Sequence, residues 1–159
     1  MNKFEIEILV SDDIVRVEVT GKIIDTAFAA DLFDTLTKIG VSVDLISLAP
    51  GSHRLGLLTF SVYNRDFSKV LKAAAQWKNG TALRICVQGG YSKITLCGAR
   101  LSQETGVASR CFHAISQADT EVVLATASDT TLSFLVPTDA LDRTVSSLEE
   151  TFGTNCQDT

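Results

Sequence analysis

No apolar run in this 159-residue chain approaches the roughly 20 residues that a membrane-spanning helix needs. The first residues, Met-Asn-Lys-Phe-Glu-Ile-Glu, contain no apolar signal core, so a cytoplasmic protein is expected. Lys and Arg are too few and too scattered for a phosphate-binding surface: the formal charge is -5, and an acidic balance argues against nucleic acid or anionic membrane as the main partner. Arg65, Lys69 and Lys72 do share one face of a predicted helix over 64–78, where a solvated face explains them. Four cysteines, Cys86, Cys97, Cys111 and Cys156, lack the close pairing of a zinc site, which leaves reduced thiols, buried except for Cys156 in a polar tail. Gly89-Gly90 has no following Lys-Ser or Lys-Thr, so it is no phosphate loop. His53 and His113 stand without a carboxylate or cysteine at catalytic spacing, and no set of residues assembles a nucleophile, base and orienting group. No catalytic residues, metal or cofactor are therefore expected.

What the chain does contain is a repeat of about 75 to 79 residues, with the second copy one strand short. Arg16, Glu18 and Thr20 alternate with Val15, Val17 and Val19, the period of a half-buried strand over 14–20. Phe28, Leu32, Phe33, Leu36 and Ile39 then recur at helical spacing, with Asp25 or Thr26 as cap and Gly40 as stop. Val41, Val43 and Leu45 alternate again, Pro50-Gly51-Ser52 makes a turn, and Leu57–Val62 returns as a strand. A second amphipathic helix, with Phe67, Val70, Leu71, Ala74 and Trp77 inward, ends near Asn79-Gly80, and 83–87 forms a last strand. That order is βαββαβ, the ferredoxin-like plan.

The second copy runs from a strand ending at Cys97 through a helix over 105–117, strands at 121–125 and 131–136, and a helix with Leu141, Val145, Leu148 and Phe152 on one face after Pro137. Its sixth element is missing, because Gly153-Thr-Asn-Cys-Gln-Asp-Thr reads as a tail. A spare strand at the other end, with Phe4, Ile6 and Ile8 alternating before the turn Ser11-Asp12-Asp13, supplies it. The predicted fold is α+β: two ferredoxin-like units with antiparallel sheets and helices on one face, the first inserted into the second. The first unit spans 11–89, the second 1–10 plus 90–153, and 154–159 is a flexible tail.

Gly98, Thr105-Gly106-Val107-Ala108 and Phe112, the strand pair Val122–Ser128 and Leu132–Val136, and the closing Leu148-Glu-Glu-Thr-Phe152 together resemble the tandem ACT regulatory region of aspartokinases, over essentially the whole chain. That family also inserts its first ACT domain into its second. The chain lacks the Lys-Phe-Gly-Gly signature of aspartokinase catalytic domains. The resemblance implies an allosteric module that senses an amino acid, threonine or lysine, that forms a homodimer through ACT units, and that acts on an aspartokinase catalytic domain or subunit. A detached regulatory portion and a separate small chain both fit, with Met1 leaning toward a natural chain.

A free amino acid presents a carboxylate and an ammonium, which suit backbone N–H groups at a helix start and a nearby side-chain acceptor. In the first copy the residues so placed are Asp25, Thr26, Ala27 and Phe28, with Ser42 and Asp44 on the next strand. In the second they are Ser102, Gln103, Glu104, Thr105, Gly106 and Val107, with Glu121 ahead of the strand. Asp25 and Thr26 are also ordinary caps, and Gly106 also serves close backbone packing. The family's Pro-Gly is replaced by Thr26-Ala27 and its frequent Gln after the second strand is missing, which keeps open a scaffold that dimerises without ligand. An RNA-binding sheet is a weaker rival, since Leu55–Phe60 lacks the paired aromatics that stack bases.

Overall fold

The computed structural model describes residues 6–51, 54–78, 82–99 and 101–158, so the readings made for Phe4, Ser52, His53 and Asn79-Gly80 lie outside the described residues. In chain order the elements are β1 (Glu7–Gly21), α1 (Thr26–Lys38), β2 (Ile46–Ala49), β3 (Gly56–Tyr63), α2 (Phe67–Trp77), β4 (Arg84–Cys97), α3 (Val107–Gln117), β5 (Leu124–Ala127), β6 (Thr131–Pro137), α4 (Leu141–Phe152) and β7 (Cys156–Asp158). The chain divides into two compact units, one of Asp13–Gly89 and one joining the residues up to Asp12 with those from Gly90 onward. Both have the expected α+β ferredoxin-like plan. Among the described residues no helix is long and apolar enough to cross a membrane.

In the unit of residues 13–89 the strand order is β2-β3-β1-β4. Strand β3 pairs antiparallel with β1, Val17 opposite Phe60, and with β2, Leu48 opposite Leu58. The odd-numbered Val15, Val17 and Val19 point to one face, where they meet Leu58, Phe60 and Val62 and the inward stripe of α1 and α2. Leu32, Leu36 and Val70 are closed from solvent in this core. Phe33 meets Phe60 edge to face, with centroids 5.5 Å apart, a geometry that the ring quadrupoles favour. Helix α1 starts where Asp25 accepts a hydrogen bond from the Phe28 N–H at 2.8 Å, and ends at Gly40, whose φ of +71° is open to a residue without a side chain.

The other unit has the order β5-β6-β4-β1, with β7 added outside β1. Ile94 and Leu96 of β4, Phe134 and Val136 of β6, and Ile6, Ile8 and Val10 at the start of the chain form its core with α3 and α4. Phe112 and Phe134 repeat the edge-to-face pair at 5.3 Å. Arg110 joins the two helices, lying 4.3 Å over the Phe152 ring and donating to the Thr151 carbonyl. Strand Glu7–Asp12 thus fills the place that the sequence leaves vacant in the second copy.

Several local readings are corrected. Ser11-Asp12-Asp13 is no turn, because β1 runs through it, and Gly89-Gly90 lies inside β4. Asp13 (φ +57°) and Gly90 (φ +86°) absorb the irregularity within the strands, and the Ser92 hydroxyl donates to the Asp12 carboxylate at 2.7 Å. Segment 41–45 is not a regular strand. Asp44 N–H donates to the Ser61 carbonyl while Leu45 N–H goes to the Ser61 hydroxyl, so two residues face one and pairing becomes regular only at Ile46. The tail is not wholly free: Cys156–Asp158 pairs parallel with Ile8–Val10, and the Glu149 carboxylate accepts from Cys156 N–H at 2.6 Å. Pro137 closes β6, and a 3₁₀ turn over 138–140 precedes α4. Leu71, read as inward, is 43% exposed. The cysteines are reduced thiols, but Cys86 is exposed and only Cys111 is fully buried, because Cys86 sits on the solvent face of β4.

Candidate functional site

The second unit opens a cavity of about 330 Å³ at the start of α3. Glu104, Thr105, Gly106 and Val107 form one wall, Ser128 and Thr131 face them from the turn between β5 and β6, and Leu101 and Leu132 are its apolar part. The local sequence explains the shape. Gly106 takes φ +91°, which keeps Thr105 and Glu104 out of the helix and delays α3 until Val107. With glycine at the capping position, no side chain caps this helix. Its first N–H groups therefore have no intrahelical acceptor and carry the positive end of the helix dipole. The Ser128 hydroxyl accepts from the Thr131 N–H at 3.0 Å and lies 2.7 Å from the Thr131 hydroxyl, which fixes the opposite wall. This is a volume at the lower end of the ~300–1,000 Å³ usual for small-molecule sites, with donors on one side and one carboxylate, Glu104, beside them.

The residues expected from the sequence fall into three groups. Ser102, Glu104, Thr105, Gly106 and Val107 line this cavity; Gln103 is exposed on the 3₁₀ turn before it and does not. Glu121 belongs to a separate cavity of about 290 Å³ with Phe112, Asp119 and Thr120, at the other end of α3. In the first unit Asp25 is spent on its own helix, Thr26, Ala27 and Phe28 are the opening turn of α1, and Ser42 and Asp44 are exposed. None of these six lines a cavity described here. Ser128 and Thr131 were not singled out, although Ser-Asp-Thr-Thr at 128–131 is a turn sequence that could have marked them.

Two thiols are electrostatically distinct. Burial pushes the Cys111 thiol up to about 12, against a smaller lowering by Arg110. Cys97 is also raised, by burial first and then by the Glu7 carboxylate. Among the described residues no group of three or more His, Cys, Asp or Glu is placed to hold a metal ion.

Residues 94–152 match the family model described as "ACT domain". Aspartokinase 2 of Bacillus subtilis is 23% identical over 142 residues, which cover 89% of this chain and 35% of that protein, so the chain spans about a third of the curated relatives it matches. Among solved structures, the ligand-free regulatory subunit of aspartate kinase from Thermus thermophilus superposes with a TM-score of 0.85 at 16% identity, covering 95% of this chain and 99% of that one. Aspartokinase III of E. coli, in complex with lysine and aspartate, gives a TM-score of 0.68 at 20% identity over 94% of this chain and 33% of that one. Residues 94–152 carry an ACT domain, and the chain as a whole is similar, in sequence and in fold, to the regulatory ACT region of aspartokinases.

Proposed function

We propose that this chain is a non-catalytic regulatory module that binds a free α-amino acid at the start of α3 and passes its occupancy to an aspartokinase catalytic partner. The observation that carries this reading is the uncapped helix start beside Glu104 in one cavity. The ligand carboxylate would accept from the N–H groups of the first α3 turn, and its ammonium would pair with Glu104. Lysine and threonine are the effectors to test first; the E. coli relative holds lysine, and both molecules are small enough for the cavity. Regulation requires that the ligand favour one of two packings of paired ACT units, which points to a homodimer as the responding species. Calorimetric titration of the purified chain with each amino acid is the test. Saturable binding of one amino acid, weakened by Glu104→Gln and untouched by Asp25→Ala, is expected. Absence of binding by every amino acid, with the fold intact, would sink the reading.

A second reading has its own observation. Asp25 already occupies the α1 start, the counterpart of the α3 start, so the first unit lacks the equivalent open site and fits a scaffold that only dimerises. Sedimentation equilibrium would separate the two: a dimer unchanged by every amino acid belongs to the scaffold.

A further inference from the structure

The largest cavity described in the second unit, about 670 Å³, is not the one at the α3 start. It lies where β1 begins, β4 ends and β6 begins, and the loop from α4 to β7 closes one side. Its polar lining is Glu7, Cys97, Thr130, Thr131, Thr154 and Asn155, and Glu7 is the one charged group among the described lining residues. Three hydroxyls and an amide can donate or accept as a guest requires, whereas a carboxylate only accepts. A negatively charged guest would meet Glu7 with like charge, and a neutral apolar one would make no use of the lining hydroxyls and amide, although Glu7, Thr130 and Asn155 are exposed and keep water as a partner. A small guest with an ammonium group suits both. The Cys97 thiol stands across from Thr131 in the β4–β6 pairing and is half-buried. Its ionisation is suppressed by burial and by Glu7, so it is a neutral neighbour at pH 7 and adds no competing charge.

We propose that this cavity is a second ligand site, separate from the α3 start, that takes a small primary ammonium compound with its charge on Glu7 and its neutral polar atoms on the threonine hydroxyls and Asn155. Thr131 lines this cavity and the one at the α3 start, and its hydroxyl is bonded to Ser128. Occupancy here therefore bears on one wall of the other site.

Cys97 supplies a readout that needs neither a catalytic partner nor an amino acid. Ethanolamine is the probe, ethylene glycol the uncharged control of like size, and acetate the control of opposite charge. Iodoacetamide labelling is followed by peptide mass spectrometry, which reports Cys97 apart from the exposed Cys86. Bound ethanolamine neutralises Glu7, the smaller cause of the raised Cys97 thiol, but covers and further buries that thiol, the larger cause, so Cys97 alkylation is expected to slow several-fold and saturably, without change at Cys86 and with neither control doing so. In Glu7→Gln the basal Cys97 rate rises because a suppressing charge is gone, and the protection by ethanolamine disappears; a melting curve verifies that the variant is folded. Equal protection by ethylene glycol, protection that persists in Glu7→Gln, or none at any concentration would each overturn the proposal.

Discussion

Glu104 and Asp25 hold the same place in the two copies and do different things. Each stands just ahead of a Thr pair, Thr26-Ala27 in one copy and Thr105-Gly106 in the other. Where alanine follows, the helix winds up at once and the shorter carboxylate closes it by accepting from Phe28 N–H. Where glycine follows, φ turns positive, the helix starts two residues later and the longer carboxylate is left lining a cavity. One small residue separates a sealed helix start from an open one. The rest of the plan is shared, down to the edge-to-face pairs Phe33–Phe60 and Phe112–Phe134. The lesson is that the repeat supplies the frame, and local backbone freedom decides which copy keeps an open helix start beside a cavity.

The sharpest way to break the comparison is to remove the shared ring. Phe60→Ala and Phe134→Ala each delete a fully buried side chain, and each is expected to cost about 3–5 kcal/mol. Urea unfolding of both variants checks it; a markedly smaller loss in either would mean that the two cores are not equivalent.

Next comes pH. Where α1 buries Leu32, α3 buries Cys111, whose thiol is raised to about 12 in the folded chain from an ordinary 9.0. The folded state holds that proton more tightly than the unfolded state, so its contribution is complete below pH 9. It is lost between pH 9 and about 12, by at most about 1.4 kcal/mol per pH unit. Urea midpoints at pH 8, 9.5 and 10.5 should fall more steeply for the native chain than for Cys111→Ala. Parallel slopes would refute it.

A third difference is polar. Val41 and Val70 pack in the first core, whereas the second has Thr120 and Thr144 in their places. Thr144 donates to the Ala140 carbonyl at 2.7 Å and hydrogen-bonds Thr120 at 2.8 Å. Thr144→Val alone should cost about 0.5–1.5 kcal/mol by removing the shared hydrogen bond, since Thr120 keeps the Ala118 carbonyl as an acceptor, and the double change to valine should recover part of it. A double-mutant cycle with no coupling would count against the pair.

Smaller still are the helix starts. Gly106→Ala places a side chain at positive φ and is expected to cost about 1–2 kcal/mol. Asp25→Ala removes a cap worth about 1 kcal/mol. Thermal melts rank the two, and a Gly106→Ala variant at least as stable as the native chain would show that its backbone relaxes freely.

Much of this was legible in the chain because period and punctuation agree. The alternation of Val15, Val17 and Val19, the stripe from Phe28 to Leu36 and the stop at Gly40 each repeat a local preference that the core also requires. What stayed hidden depends on partners distant in sequence. Cys156–Asp158 reads as a polar tail until Ile8–Val10 offers an edge and Glu149 an acceptor. Leu45 joins the sheet through the Ser61 hydroxyl, which no periodicity announces. For the candidate site, the helix start at Thr105–Val107 could be read from its own residues, but its opposite wall at Ser128 and Thr131 is set by the β5–β6 turn.

Asp13 and Gly90 have a further effect. The apolar residues of the two cores are even-numbered ahead of Asp13 (Ile6, then Ile8 and Val10 of β1) and odd-numbered from Val15 onward (Val15, Val17, Val19), with the buried Ile14 at the boundary in neither core cluster. In β4 the partly buried Ile85 and Val87 that pack on the first core are odd, the buried Ile94 and Leu96 of the second core are even, and the buried Tyr91 stands at the boundary beside Gly90. Each strand thus behaves like a message with two reading frames, and the residue at the boundary shifts the frame. Deleting either one would put the residues on one side of it out of phase with their own core, a single-residue error spread along half a strand.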